Sequence, residues 1–305
     1  MPGVIWAVLQ KFNDDNANLL VVALGWYGFT AIYPLLLIVV TVLGFLGREA
    51  LGQSVLETLH QFPIIGDQFN PGPGGEQLHG SVTGLVVGVL ALLYGAQGVT
   101  QTAQMAMNEV WNIPFSDRPG FLPRLGRSVM ALFIISATFT INAALSAYAT
   151  STGRPTWFRV VVIVGLIALN SALYLASFRV LTSKQAPHGA LWPGAVVGGG
   201  AFTLLITVGT TLIQHQLKHQ SATYGAFASI IGVVAFLLLL AKLTLYGAEL
   251  NPVLHHHLYP RALPGMDLTP ADRKVMRALV MEEQRRVDQV IDVGFGPPEE
   301  LGPPE

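Results

Sequence analysis

Residues 17–47 read ANLLVVALGWYGFTAIYPLLLIVVTVLGFLG, without one Asp, Glu, Lys or Arg. A helix crosses the hydrocarbon of a bilayer with about 20 mostly apolar residues, and this run exceeds that length. Five more charge-free runs follow, at 80–108, 128–153, 160–178, 189–214 and 220–241, the last continuing past Lys242 to 248. Strands of a membrane barrel would alternate apolar and polar residues over about 10 positions. These runs are longer and continuously apolar. The sequence therefore predicts an all-α fold: a polytopic membrane protein with six transmembrane helices.

Composition agrees. Of 305 residues, 51% are hydrophobic and 11% charged, against roughly a quarter charged in an average soluble domain. Mean hydropathy is +0.51. An ordinary soluble enzyme, a disordered chain and a coiled coil are excluded. The net charge of -1 provides no basic field for nucleic acid. Membrane lipids are the expected partner, and no nucleic acid. The oligomeric state is not legible. Cysteine is absent, so there is no disulfide framework, thiolate metal site or Cys nucleophile. Residues 1–12 hold one Lys and no small-residue cleavage site, unlike a signal peptide.

Orientation follows from the basic residues in the loops. With a cytoplasmic N-terminus, the inside segments hold Lys11, Arg118, Arg124, Arg127, Arg179, Lys184, Arg261, Arg273, Lys274, Arg277, Arg285 and Arg286. The outside loops hold only Arg48, Arg154, Arg159 and Lys218. Both termini are expected in the cytoplasm. The chain divides into a cytoplasmic N-terminal segment (1–16), a six-helix membrane domain (17–254) and a cytoplasmic tail (255–305).

The loops differ in kind. In the outside segment 48–79, Leu51, Val55, Leu56, Leu59 and Phe62 have helical spacing and predict a short amphipathic helix on the membrane. Residues 70–75, NPGPGG, predict a loop. Segment 108–123 holds three prolines and cannot be one straight helix. Its aromatic and basic residues, with Asp117 and Arg118, suit an elbow resting on headgroups, with a gating role as the alternative. In the tail, Thr269-Pro270-Ala271-Asp272 predicts a helix start, with a charged amphipathic helix to about Asp292. Residues 294–305 are rich in Gly and Pro and are expected to be disordered.

Polar residues in a bilayer are costly unless they face a partner or water. Span two carries Gln97, Gln101, Gln104 and Asn108, and span five Thr203, Thr207, Thr210 and Gln214. Span four carries Asn170, Tyr174 and Ser177, and span six Lys242, Tyr246 and Glu249. Each set lies on one helix face. One reading is a hydrated cavity, with Gln97, Gln101, Gln104, Asn108, Lys242, Tyr246 and Glu249 as lining or substrate-contacting candidates. The other is hydrogen bonding between helices that only holds the bundle together. Lys242 either snorkels toward headgroups, binds an anionic headgroup, or pairs with a carboxylate. Glu249 is either a water-exposed interfacial carboxylate or part of the cavity. Gly84 with Gly88, and Gly194 with Gly198, permit close helix approach within one chain.

Sites of chemistry are not visible. The sequence has no Walker A motif, dinucleotide fingerprint or His-Glu-x-x-His. His255, His256 and His257 are consecutive, so they fan apart on a helix and make a poor single-metal site. No nucleophile elbow is present. Catalysis, a cofactor and a metal are not expected.

Three stretches carry a resemblance. They are ALGWYGFTAIYPLLL at 23–37, LYGAQG at 93–98 running into AMNEVWN at 106–112, and YGA at 224–226 with LYGAELN at 245–251. In order and spacing the chain resembles the YihY/BrkB family of bacterial inner-membrane proteins over about 12–251. The resemblance implies six helices, both ends in the cytoplasm and a plasma-membrane location. The family has carried the label ribonuclease BN, one branch is called a serum-resistance factor, and members are linked to envelope integrity and lipid transport. The chain departs from the family pattern in span six, where leucines 237–240 and Lys242 stand in place of aromatics. Three functions follow: transport or flipping of a lipid or other amphiphile, a non-catalytic envelope scaffold that docks through the tail helix, and a nuclease. The last lacks a visible ligand set for its metal.

Overall fold

The computed structural model describes residues 2–45, 82–150, 156–183, 186–217 and 222–295. Eight helices and two short 3-10 turns make up these residues, with no strand among them. The helices are α1 (Pro2–Asp14), α2 (Ala17–Phe45), α3 (Val82–Val110), α4 (Phe121–Thr150), α5 (Thr156–Leu181), α6 (Trp192–Leu217), α7 (Ala222–His255) and α8 (Pro270–Glu282). Long helices α2 to α7 cover the charge-free runs. The amphipathic helix expected near 51–62, the loop at 70–75 and the tail end from 296 lie outside the described residues.

Among the described residues, two segments, Val160–Leu181 in α5 and Ile231–His255 in α7, are long and apolar enough to cross a membrane by length and composition. The protein buries only 11% and 17% of their apolar windows. A core helix of a soluble domain would be mostly buried, so these surfaces are left for another apolar medium. Shorter apolar helical stretches are Ala17–Ile32 and Trp192–Thr207.

Helix ends follow local rules. The chain leaves α1 through Asn16, whose φ of 50° is in the left-handed region that Asn tolerates. Helix α3 ends on Asn112, φ 46°. There the Ile113 N–H donates to Asn108 O at 2.9 Å and the Asn112 N–H to Glu109 O at 2.8 Å, the two bonds of a Schellman motif. His257, φ 51°, closes α7 in the same way, with Leu258 N–H donating to Val253 O at 3.0 Å. The three prolines of the elbow act as expected. Pro114 precedes a 3-10 turn at Phe115–Asp117, and α4 starts at Phe121 with Pro123 in its first turn. Thr269 caps α8, and Asp272 completes a reciprocal capping box. Helix α8 stops at Glu282, well short of the expected Asp292. Its last turn is fixed by tertiary bonds: Glu282 meets the elbow, and Ser116 N–H donates to Gln284 O at 2.9 Å.

The chain forms two compact units, residues 1–20, 103–203 and 243–305 in the first, 21–102 and 204–242 in the second. In the second, Gly25 lies under Leu238, where a Cβ would sit 2.6 Å from Cδ2, and Gly98 lies under the Tyr27 ring. In the first, Gly194 lies so close to Gly247 that a Cβ on it would land on the Gly247 carbonyl, and Gly199 packs on the backbone of Asn170 and Ser171. The small-residue spacing at 194–198 thus serves contact within the chain. A core of Ala7, Val8, Val253, Leu258 and Val275 joins α1, the end of α7 and α8. The segment ahead of the first span, read from sequence only as such, thus holds a structural helix, Pro2–Asp14.

Candidate functional site

Helix α1 turns Ala7, Val8, Lys11 and Phe12 inward, at steps of one face of a helix. Phe12 stacks on Tyr246 of α7, with ring centroids 4.3 Å apart. One turn further along α7, Glu249 is fully buried and lies 3.3 Å from the Nζ of Lys11. Lys11 also pairs with Asp15 and donates to Val110 O at 2.9 Å, at the last turn of α3. Two donors of the ammonium are hydrogen-bonded, to Asp15 and to the Val110 carbonyl, and Glu249 is held as an ion pair. Burial works against the charge of Lys11, but Glu249 and Asp15 outweigh it and hold the group above its ordinary range.

Asn112, the residue that ends α3, carries the network outward. Its Nδ2 donates to Glu282 Oε2 at 3.0 Å and lies 3.4 Å from Asp15 Oδ1. Arg118 meets Glu282 Oε1 at 2.5 Å, donates to Ile113 O and stacks on Phe115 at 3.9 Å. Burial raises the Glu282 carboxyl to about 7, against the lowering pull of Asn112 and Arg118. The elbow at Arg118 is thus held by α8. The carboxylate that does so is one that only the fold brings near.

A second cluster ties the chain's two ends. Arg261 bridges Asp14 at 2.8 Å and Asp272. Trp6 Nε1 and Gln10 Nε2 both donate to Ala262 O, at 3.2 and 2.9 Å. Burial of Asp272 opposes its charge, but hydrogen bonds from Thr269, Arg261 and the Ala262 and Thr269 amides win and hold it below the usual carboxylate range. His256 is pushed down by burial first and then by His255, Lys11 and Lys274. Its ring and that of His255 lie about 6 Å from Trp111.

The sequence candidates separate on this map. Tyr246 and Glu249 join the Lys11 cluster, and Glu249 is buried and ion-paired where a water-exposed interfacial carboxylate was one reading. Its cation is Lys11, a residue the sequence offered only as a topology charge. Gln104 donates to Ser128 Oγ at 3.0 Å and Arg124 O at 3.2 Å, binding α3 to α4. Asn108 is buried beside it. The Oε1 of Gln104 and the Oδ1 of Asn108 are buried with no hydrogen-bond partner among the described residues. Gln97, Gln101 and Lys242 are half-buried and belong to the second unit. Asn170 donates to Thr203 Oγ1, and Tyr174 bonds Thr244, both at 2.9 Å. Those members of the polar stripes hold helices together. Among the described residues no cluster of three His, Cys, Asp or Glu could hold a metal ion.

Sequence reasoning missed Lys11, Asp15, Asn112, Glu282, Arg261 and Asp272. One signal was available. Lys11 and Asp15 are spaced i, i+4 on an otherwise apolar helix face, so both are drawn inside with it.

A family model described as virulence factor BrkB matches residues 8–270. The match runs beyond the 12–251 stretch of the sequence resemblance and takes in Lys11, Asp15, Asn112, Glu249 and Arg261, while Asp272 and Glu282 fall outside it. Among curated proteins, the chain is similar to the inner membrane protein YhjD of Escherichia coli (strain K12), with 21% identity over 279 residues, 84% of this chain and 82% of that one. No solved structure matches.

Proposed function

The chain belongs to the virulence factor BrkB family, and from that premise we propose that it is a multi-pass bacterial inner-membrane protein that moves a lipid or another amphiphile without catalysis. In this reading α2 to α7 are six spans and both termini are cytoplasmic. The excess of Lys and Arg in the alternate loops supports the orientation, and the lipid-ready surfaces of α5 and α7 support the membrane setting. The name of the relative, an inner membrane protein, supports the location.

One observation carries the transport reading. Gln104 and Asn108 sit one turn apart on α3, and each keeps a buried carbonyl oxygen without a partner among the described residues. A buried acceptor left unsatisfied costs about 1–3 kcal/mol. Water or a donor group of a passing headgroup would satisfy both. No ATP site is visible in the sequence, so movement is passive or gradient-driven.

The test is translocation in proteoliposomes, using a headgroup-labelled phospholipid and a membrane-impermeant quencher. Inner-leaflet label should lose protection faster than in empty vesicles, and Gln104→Leu with Asn108→Leu should slow the loss. Equal rates in protein-containing and empty vesicles, with and without a proton or sodium gradient, would refute transport of phospholipid.

The scaffold reading has one observation in its favour. Helix α8 buries Ala271, Asp272 and Val275 while Arg273, Lys274 and Arg277 stay exposed and line a groove of about 630 Å3 with Phe295. Deleting the tail cannot test it, because Val275, Asp272 and Glu282 would leave with it. Reversing the three exposed charges can: envelope function lost with transport intact favours the scaffold.

A further inference from the structure

We propose that Lys11, Asp15 and Glu249 form a proton-binding site in which the two carboxylates share one proton. The argument is a charge count in a place closed to water. Lys11 and Glu249 are fully buried, and the Asp15 side chain is 1% exposed. One ammonium therefore faces two carboxylates. One ammonium, hydrogen-bonded to Asp15 and to the Val110 carbonyl, balances one carboxylate, and the second negative charge has no water to solvate it.

Among the described residues, the surroundings pair no further cation with either carboxylate. From α3, Asn112 offers a neutral amide to Asp15, and Glu109 adds negative charge that acts on it. From α8, Glu282 also acts on Asp15, and its own cation, Arg118, is engaged with it. From α7, Tyr246 is stacked on Phe12, and His256 lies in the field of Lys11 and Lys274. Glu249 shows the same need from its own side. Its Oε2 lies 3.3 Å from Lys11, yet neither of its oxygens has a hydrogen-bond partner of good geometry among the described residues. A proton on one carboxylate, donated to the other, closes the charge count and supplies the missing bond. Uptake adds H+ to one carboxylate oxygen and release returns it, with no other bond changed. The site ties α1 to α7, so its occupancy is felt by both helices. The inference stands apart from the transport reading, to which it offers the proton as driving ion.

The test uses the full chain in lipid nanodiscs at neutral pH, read by infrared difference spectroscopy in the protonated-carboxyl region. The wild-type spectrum minus that of Glu249→Gln should show one protonated carboxyl band that shifts in deuterated buffer. Asp15→Asn should lose the same band although Glu249 is still present, because one carboxylate then faces one ammonium. Absence of the band in the wild type, or its survival in both variants, would overturn the proposal. So would a band that appears only when sodium is withheld, which would make sodium the counter-ion. Should Glu249→Gln fail to accumulate, Asp15→Asn alone decides. Transport plays no part in this readout, so its failure and that of the transport reading are separable.

Discussion

Replacing Lys11 with Met keeps much of the side chain's length and removes only the ammonium. Asp15, Glu249 and the Val110 carbonyl then lose their shared donor in a region with no exposure. Breaking a buried ion pair by removing one partner costs about 3–5 kcal/mol, which is roughly a hundred- to several-thousand-fold in the ratio of folded to unfolded protein at 1.36 kcal/mol per decade. Glu249→Gln should be far milder, and the double variant Lys11→Met with Glu249→Gln should recover part of the loss, since the two residues touch and cannot act additively. Arg286→Met is the control. Arg286 pairs with Asp288 on the exposed surface, and its loss should leave stability unchanged. The assay is denaturant or thermal unfolding in a defined lipid nanodisc. A Lys11→Met protein as stable as the wild type at neutral pH, or one whose loss ignores Glu249→Gln, would refute the reasoning.

Two further outcomes are expected. Glu282, raised to about 7 in the fold from an ordinary 4.5, holds more protons folded than unfolded between those values, so its contribution to stability is present at the lower end and falls as pH rises through the window. Unfolding midpoints at pH 5 and 8 should therefore differ more for the wild type than for Glu282→Gln; an equal difference contradicts the assignment. Gly194→Ala places a Cβ on the Gly247 carbonyl, and overpacking of this kind costs about 1–3 kcal/mol, whereas Gly3→Ala, with open space around it, should be neutral in the same unfolding assay.

The helices were legible because a charge-free run of that length has few alternatives, and the start of α8 because Thr269, Pro270 and Asp272 are local signals. The end of α8 was not, because it is set by Asn112 and Ser116 across space. The site divides the same way. Glu249 stood out as a carboxylate on an apolar helix, but its cation lies at the other end of the chain, and Lys11 in isolation reads as a topology charge. Gln104 was legible as a polar residue on the inner face. That it spends its amide on Ser128 while its carbonyl goes without a partner depends on how α4 is placed. Asn112 carried no sequence signal beyond its family-like context. Its role comes from the left-handed turn that aims its amide between two carboxylates.

The order in which a ribosome releases these residues gives the Lys11 cluster a history. Lys11 and Asp15 lie four positions apart and can meet as soon as the first helix has formed. Glu249 emerges only after every intervening helix has been made, and Arg261 and Asp272 later still. The Val110 carbonyl of α3 reaches Lys11 well before Glu249 does, so the cluster is assembled in stages. A nascent chain stalled before Glu249 would hold Lys11 and Asp15 without the α7 carboxylate that pairs with them in the folded protein.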